Sequence, residues 1–309
     1  MTETLISPSS VDLGRRPPGI GRVFFVASGG NDANNGINPN APFASITYAL
    51  TECTADRGDY IYVLDNVSAN EAAFPVALNV GRIHLLGLSS EAYPYTRLVA
   101  DTVNNTLEIG SVQHYEIAGF ELGGGDNTVA CINSIAGPNT AGRAWIHHCT
   151  FAVLLGVLAC NDGIHIENTF DWCMSVVEDC YFCGSGISDG IARDGIRIEG
   201  NSTRGIFRRN IFRQVQGSGI HCIQNGSDIG VIQDNIFRVP DNAAGEAIYM
   251  ELGVGNAIIV GNRAGTDDAI PANNPFRDSS VASPNQLNAW IDNQNSATGA
   301  AAMNIAPAA

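Results

Sequence analysis

The chain has 309 residues, of which 45% are apolar and 15% charged, and its formal charge is −15 with all 16 basic residues arginine. Such acidity repels phosphate backbones and anionic lipid heads, so no nucleic-acid or membrane partner is expected; the absence of lysine removes Schiff-base and lysine-base chemistry. With 34 glycines and only 7% aromatic residues, the composition excludes a fold of long amphipathic helices and points to many short strands joined by tight turns.

Residues 1–21, which include "GRRPPGIG", read as an N-terminal arm. "MTETLISPSS" has no basic segment leading into an apolar one, so no secretory leader is expected. The first strand, "FFVAS", opens into "NDANNG" at 31–36, which could suggest a calcium loop; the spacing is not that of an EF-hand and no glutamate follows at the required distance, so a turn is favoured. "SITYALTEC" then sets Ile46, Ala49, Leu50 and Cys53 on one helical face behind a Ser45 cap. A short helix there can cover an open sheet end.

Beyond it the chain repeats itself. "RRNIFRQV" and "QDNIFRVP" are the plainest copies, and aligning "LLGLS", "IAGFE", "HHCTF", "EDCYF", "RRNIF", "QDNIF" and "VGNRA" on their third residue selects Gly87, Gly119, Cys149, Cys180, Asn210, Asn235 and Asn262. The gaps of 25 to 32 residues are those of a solenoid. "DGIHIE", "DGIRIE", "SGIHCI" and "EAIYME" keep step with them, each a turn residue followed by strict alternation that puts Ile164, Ile196, Ile220 and Ile248 on one side. Period two with one apolar face is a half-buried strand. The expected fold is all-β: a right-handed parallel β-helix over 22–265, of about seven to eight coils at ~4.8 Å per coil, with the short helix as its N-terminal cap. Asn210, Asn235 and Asn262 are expected to form a stacked amide ladder while occupying a left-handed turn position. Cys149 and Cys180 do not suit that position.

The eight cysteines, at 53, 131, 149, 160, 173, 180, 183 and 222, read as reduced core thiols. "CYFC" has no second CxxC, and alternation should turn Cys180 and Cys183 opposite ways, so no metal and no cofactor are expected. His147–His148 and Glu178–Asp179 should likewise be divided between two faces. The longest apolar run, "FAVLLGVLAC", is about half the length of a bilayer span, and a soluble protein is expected. Residues 266–309 lose the period and end "ATGAAAMNIAPAA"; they read as an extended tail or cap, with a turn of helix at "QLNAWIDN".

The stretch "FFVASGGNDANNGINPNAPFASITYALTECTADRGDYIYVLDN" (24–66) resembles the opening segment of pectin-lyase-like right-handed β-helix proteins. "ASITYALTECTADRGDYIYV" followed by "RIHLLGLSS" is similar to β-helix proteins carried by tailed bacteriophages, and the likeness extends over about 22–265. This superfamily includes lyases, hydrolases, tailspikes and inert rods, so the resemblance implies a fold and a virion setting more than an activity. Polygalacturonase-like enzymes combine an Asp pair, a Gly-His-Gly and an Arg-Ile-Lys; here "DGIRIE" supplies Asp194 and Gly195 only, and the lysine of pectate-lyase-like sites is missing.

The best catalytic candidate lies on the outer strand face, where His165, Arg197, His221 and Tyr249 stack beside a row of Glu167, Glu199, Ile223 and Glu251. Adjacent carboxylates such as Glu167 and Glu199 could form a retaining pair, His165 or His221 could act as base, and Arg197 could hold an acidic sugar. The opposing reading is ordinary cross-strand charge balance. Two functions follow. The first is a non-enzymatic homotrimeric virion protein on the capsid exterior, assembled in the host cytoplasm, whose arms bind the major capsid protein or other virion proteins. The second is a carbohydrate-active tailspike that uses the outer face to bind and cleave a surface glycan.

Overall fold

In the computed structural model the described residues are 21–88, 96–100, 103–110, 114–124, 129–135, 143–151, 160–167, 174–183, 190–200, 204–223, 228–238, 246–251, 253–265, 275–280 and 288–295. The arm at 1–20, Cys173 and the segments 266–274, 281–287 and 296–309 lie outside them.

Three parallel sheets wind into one solenoid, the expected class of fold. The first sheet has ten strands, from Val23–Val26 to Ala289–Ile291; the second has eight, from Thr96–Val99 to Gln294–Asn295; the third has eight, from Val76–Leu78 to Phe276–Asp278. From the strand Ile83–Gly87 onward the chain visits first, second and third sheet in unchanging order. Every inter-strand pairing is parallel and in register, so each side chain lies over its counterpart one coil away. Ile132, Ile164, Ile196, Ile220 and Ile248 form one such inward column, each at most 1% exposed. Burying each isoleucine contributes about 1.5–3 kcal/mol, and alternation sends the residues between them outward.

A phenylalanine stack fills the corner of the core. Phe151, Phe182, Phe212 and Phe237 lie ring over ring at 4.4, 4.6 and 4.7 Å, all within 9° of parallel. This stack explains the glycine in the "DGI" and "SGI" repeats. A Cβ on Gly163, Gly195 or Gly219 would come within 2.7 Å of the ring of Phe182, Phe212 or Phe237. On the next rung both partners change together, to Ala247 and Ala264.

The amide ladder is present. Asn210 donates its backbone N–H and its Nδ2 to Asn235 Oδ1 at 2.9 and 3.1 Å, and Asn235 repeats this to Asn262 at 3.0 and 2.9 Å. Each Nδ2 also donates back to a carbonyl of the preceding coil, Val177, Phe207 or Ile232. Asn293 extends the ladder one rung further. Two details differ from expectation. The left-handed residue is the one before each amide: Arg209, Asp234 and Gly261, with φ of 55°, 52° and 68°. Gly119, φ 76°, shares that preceding column, because register pairs Thr150 with Glu121 and so sets Cys149 beside Phe120. Cys149 and Cys180 do occupy the ladder column. Their thiols lie 3.7 and 3.8 Å from the Ile117 and Ile146 carbonyls, the same inward column that receives the amides, and 3.4 and 3.3 Å from the His147 and Glu178 carbonyls of their own coil.

The Ser45-capped helix spans Ile46–Glu52, with Ile46, Ala49 and Leu50 buried and Cys53 packed against the core. Glu71 adds a second cap, accepting from the Ile46 and Thr47 backbone N–H groups at 2.6 and 3.2 Å. "NDANNG" is a turn, with Asn34 N–H donating to the Asn31 carbonyl and Asp32 accepting from Ala44 and Ser45. At the other end the solenoid runs past residue 265. Phe276–Asp278, Ala289–Ile291 and Gln294–Asn295 join the three sheets, so the expected helical turn at "QLNAWIDN" is replaced by a strand whose Trp290 pairs with Ile259. The period in fact continues through this last coil, Asn293 following Asn262 after 31 residues.

Candidate functional site

The third sheet's outward column runs Glu108, Asn133, His165, Arg197, His221, Tyr249, Arg277, each in register with the next. Glu167, Glu199 and Glu251 follow the strands of which Ile166, Ile198 and Met250 are the last residues. The geometry thus brings all six proposed catalytic residues onto one face.

Once there, most are committed to one another. Arg197 Nε donates to Glu199 Oε1 at 2.6 Å and Nη1 to Asp194 Oδ2 at 2.9 Å. His221 lies between two acids, Nδ1 at 3.0 Å from Asp194 Oδ2 and Nε2 at 3.0 Å from Glu251 Oε1. Tyr249 stacks on His221 at 4.8 Å, and the Arg277 guanidinium sits 4.5 Å over the Tyr249 ring. Glu167 accepts from Asn133 Nδ2 at 2.9 Å.

Asp194 is the hub and was absent from the predicted set. Only 2% exposed, it also accepts from the Ser218 N–H at 2.8 Å. Burial opposes its ionisation, but the His221 contact, the Ser218 N–H and Arg197 outweigh it and hold its carboxyl below the usual range. Glu199 is held low in the same way, Arg197 and His165 overcoming its burial. The available signal was the "DGI" repeat: Asp162, one coil earlier, is 1% exposed and binds Arg193 Nε at 2.9 Å.

Two atoms are left over. Among the described residues the buried side-chain polar atoms without a hydrogen bond are Asn133 Oδ1 and His165 Nε2, on neighbouring rungs in register. His165 Nε2 stands 3.5 Å from Glu199 Oε2, too far to complete a hydrogen bond.

A second polar cluster, on the first sheet, escaped the sequence reading. Glu116 bridges His84 Nδ1 at 2.5 Å and His147 Nε2 at 2.9 Å, and His147 Nδ1 lies 2.8 Å from His148 Nδ1. Burial opposes ionisation of Glu116, yet the two histidines bring its carboxyl down to about 2. His147 and His148 therefore are not divided between faces. His148 is left-handed, φ 52°, which ends the pleat and swings both rings together. The same break at Asp179, φ 53°, lets Glu178 and Asp179 share Arg209 at 2.6 and 2.7 Å.

The described cysteines are free, and all but Cys53 are buried. Burial pushes the thiols of Cys180 and Cys222 up, away from the reactive thiolate. Cys180 and Cys183 turn opposite ways as alternation predicts, Cys180 inward on the ladder column and Cys183 in the outward column of Arg213, although both are buried. Among the described residues no three His, Cys, Asp or Glu side chains converge as metal ligands, and no helix is long and apolar enough to cross a membrane. Neither a scan against protein-family models nor a search of curated proteins finds a match.

Proposed function

We propose that this chain is a non-enzymatic structural subunit of a phage particle, a decoration or cement protein on the capsid exterior that binds the shell and stabilises it. The observation that carries the reading is the paired polar lattice of the third sheet: Arg197 forms ion pairs with Asp194 and Glu199, and His221 is within hydrogen-bond distance of Asp194 and Glu251. A general acid or base must be free to exchange a proton with substrate; here Arg197 ties up two acids of its own coil and His221 links acids of the coils on either side. A rod whose coils are locked by paired charges, stacked rings and an amide ladder suits a load-carrying part. The phage-like residues at 24–66 supply the setting, with the pectin-lyase-like superfamily as the wider resemblance.

One observation favours the carbohydrate-active alternative. Asn133 Oδ1 and His165 Nε2 offer a ligand hydroxyl two unsatisfied partners beside Glu167 and Glu199. A polysaccharide-cleavage screen with wild type and Glu199→Gln separates the readings. The structural role predicts no cleavage by either protein and a stoichiometric amount of the chain in purified particles. Cleavage lost in Glu199→Gln would sink it.

A further inference from the structure

Asn133 Oδ1 and His165 Nε2, the buried polar atoms that the hydrogen bonds of the described residues leave out, belong to neighbouring rungs of the third sheet in register. Buried polar atoms are rarely left without a partner, so an orphan pair marks a place where a further group fits. Asn133 is only 5% exposed. Its Nδ2 donates to Glu167 Oε1 at 2.9 Å, so the orphan atom of the amide is its oxygen, which calls for a proton donor or a cation.

Glu199 decides between the two. It follows the rung beyond His165, its Oε1 accepts from Arg197 Nε at 2.6 Å, and its Oε2 stands 3.5 Å from His165 Nε2. A water or hydroxyl bonded to both atoms at ~2.8 Å, with a tetrahedral angle, would set them about 4.6 Å apart. A zinc ion at ~2.0–2.2 Å from each would instead see them about 110–120° apart, near its preferred tetrahedral angle. Charge agrees with a cation. Across residues 130–134, 162–167 and 193–199 there are four carboxylates and two arginines. The arginines pair with Asp162 and Asp194, which leaves the charges of Glu167 and Glu199 for a dication to balance. Among the described residues no third His, Cys, Asp or Glu completes the set, so the third protein donor is the amide oxygen.

We propose that Asn133 Oδ1, His165 Nε2 and Glu199 Oε2 hold a divalent transition-metal ion of the zinc type, with water in the fourth position. Each ligand comes from a different coil, so the ion staples three successive rungs. Glu167 aims Asn133 and Arg197 aims Glu199, as outer-shell partners aim metal ligands. This goes beyond the proposed function and does not depend on it. Full-length protein, stripped with a chelator and dialysed against zinc, should retain one ion per chain and melt at a higher temperature than the stripped form. Cobalt(II) in its place should give the visible bands of a tetrahedral ion without the near-ultraviolet band of thiolate ligation, which separates this site from the cysteines. His165→Gln should keep the circular dichroism spectrum and bind zinc more than about tenfold more weakly, a loss reached even when an outer-shell partner is removed. Asn133→Asp, which keeps an oxygen ligand and adds charge, should bind at least as tightly as wild type, and His148→Gln, in the first-sheet cluster, should bind equally. A folded wild type that retains no zinc, a thiolate band, undiminished affinity in His165→Gln, or weakened affinity in Asn133→Asp or His148→Gln would overturn the site.

Discussion

The two halves of the solenoid close the same corner with different chemistry. On the rungs of Cys149 and Cys180 a thiol has one weak donor to share between a carbonyl of its own coil and one of the preceding coil. On the rungs of Asn210, Asn235, Asn262 and Asn293 a carboxamide donates to that carbonyl of the preceding coil, and its oxygen also accepts from the preceding rung, once at Asn210, from the Cys180 N–H, and twice at Asn235, Asn262 and Asn293. Both residues fit one backbone, because the left-handed residue before the corner sets its shape in either case: His148 and Asp179 in one half, Arg209 and Asp234 in the other. The difference teaches that the corner needs a small donor, and that the amide adds a direct link between coils.

Asn235→Ala is the largest expected break in the C-terminal half. It removes the acceptor of the Asn210 N–H and the donor to Phe207, leaving buried groups unpaired at about 1–3 kcal/mol each. The urea midpoint should fall far more for Asn235→Ala than for Cys180→Ala, and equal losses would contradict the ladder's role.

A smaller effect separates the outer faces. Glu116 is held low by His147 and His84, so its contribution to stability is present above its ordinary value of 4.5 and is lost as pH falls from there toward about 2. Thermal melting across that window should steepen in wild type and flatten in Glu116→Gln. Where Ile206, Val231 and Ile258 occupy the same column, no comparable acid exists to titrate. The smallest expected change sharpens the comparison. Cys180→Asn should raise the unfolding free energy by about 0.5–1.5 kcal/mol, read as a higher urea midpoint, since the new Nδ2 can reach Asn210 Oδ1, which already accepts from the N–H of residue 180. A fall instead would mean that the thiol column is shaped for sulfur alone.

The fold class, the helix cap and the core columns were legible because each rests on local pattern: alternation in "DGIRIE", the Ser45 start, the 25-residue echo of "NIFR". The candidate face was legible for the same reason, since alternation that buries Ile196 exposes Arg197. Its hub was not. Asp194 stands before its strand, where alternation says nothing, and its importance arises from Ser218 and His221 on the next coil. Nor was the His84–Glu116–His147–His148 cluster, assembled across three coils and a left-handed residue that no spacing rule foretells.

By itself the sequence determined that the chain winds and which side chains point inward, because a period-two pattern with one apolar face has a single way to be buried. Tertiary structure alone decided which residue of each turn takes the left-handed twist, why glycine must underlie Phe182, Phe212 and Phe237, and which polar groups meet. Those depend on contacts between coils some thirty residues apart, where a one-residue shift of register changes every partner.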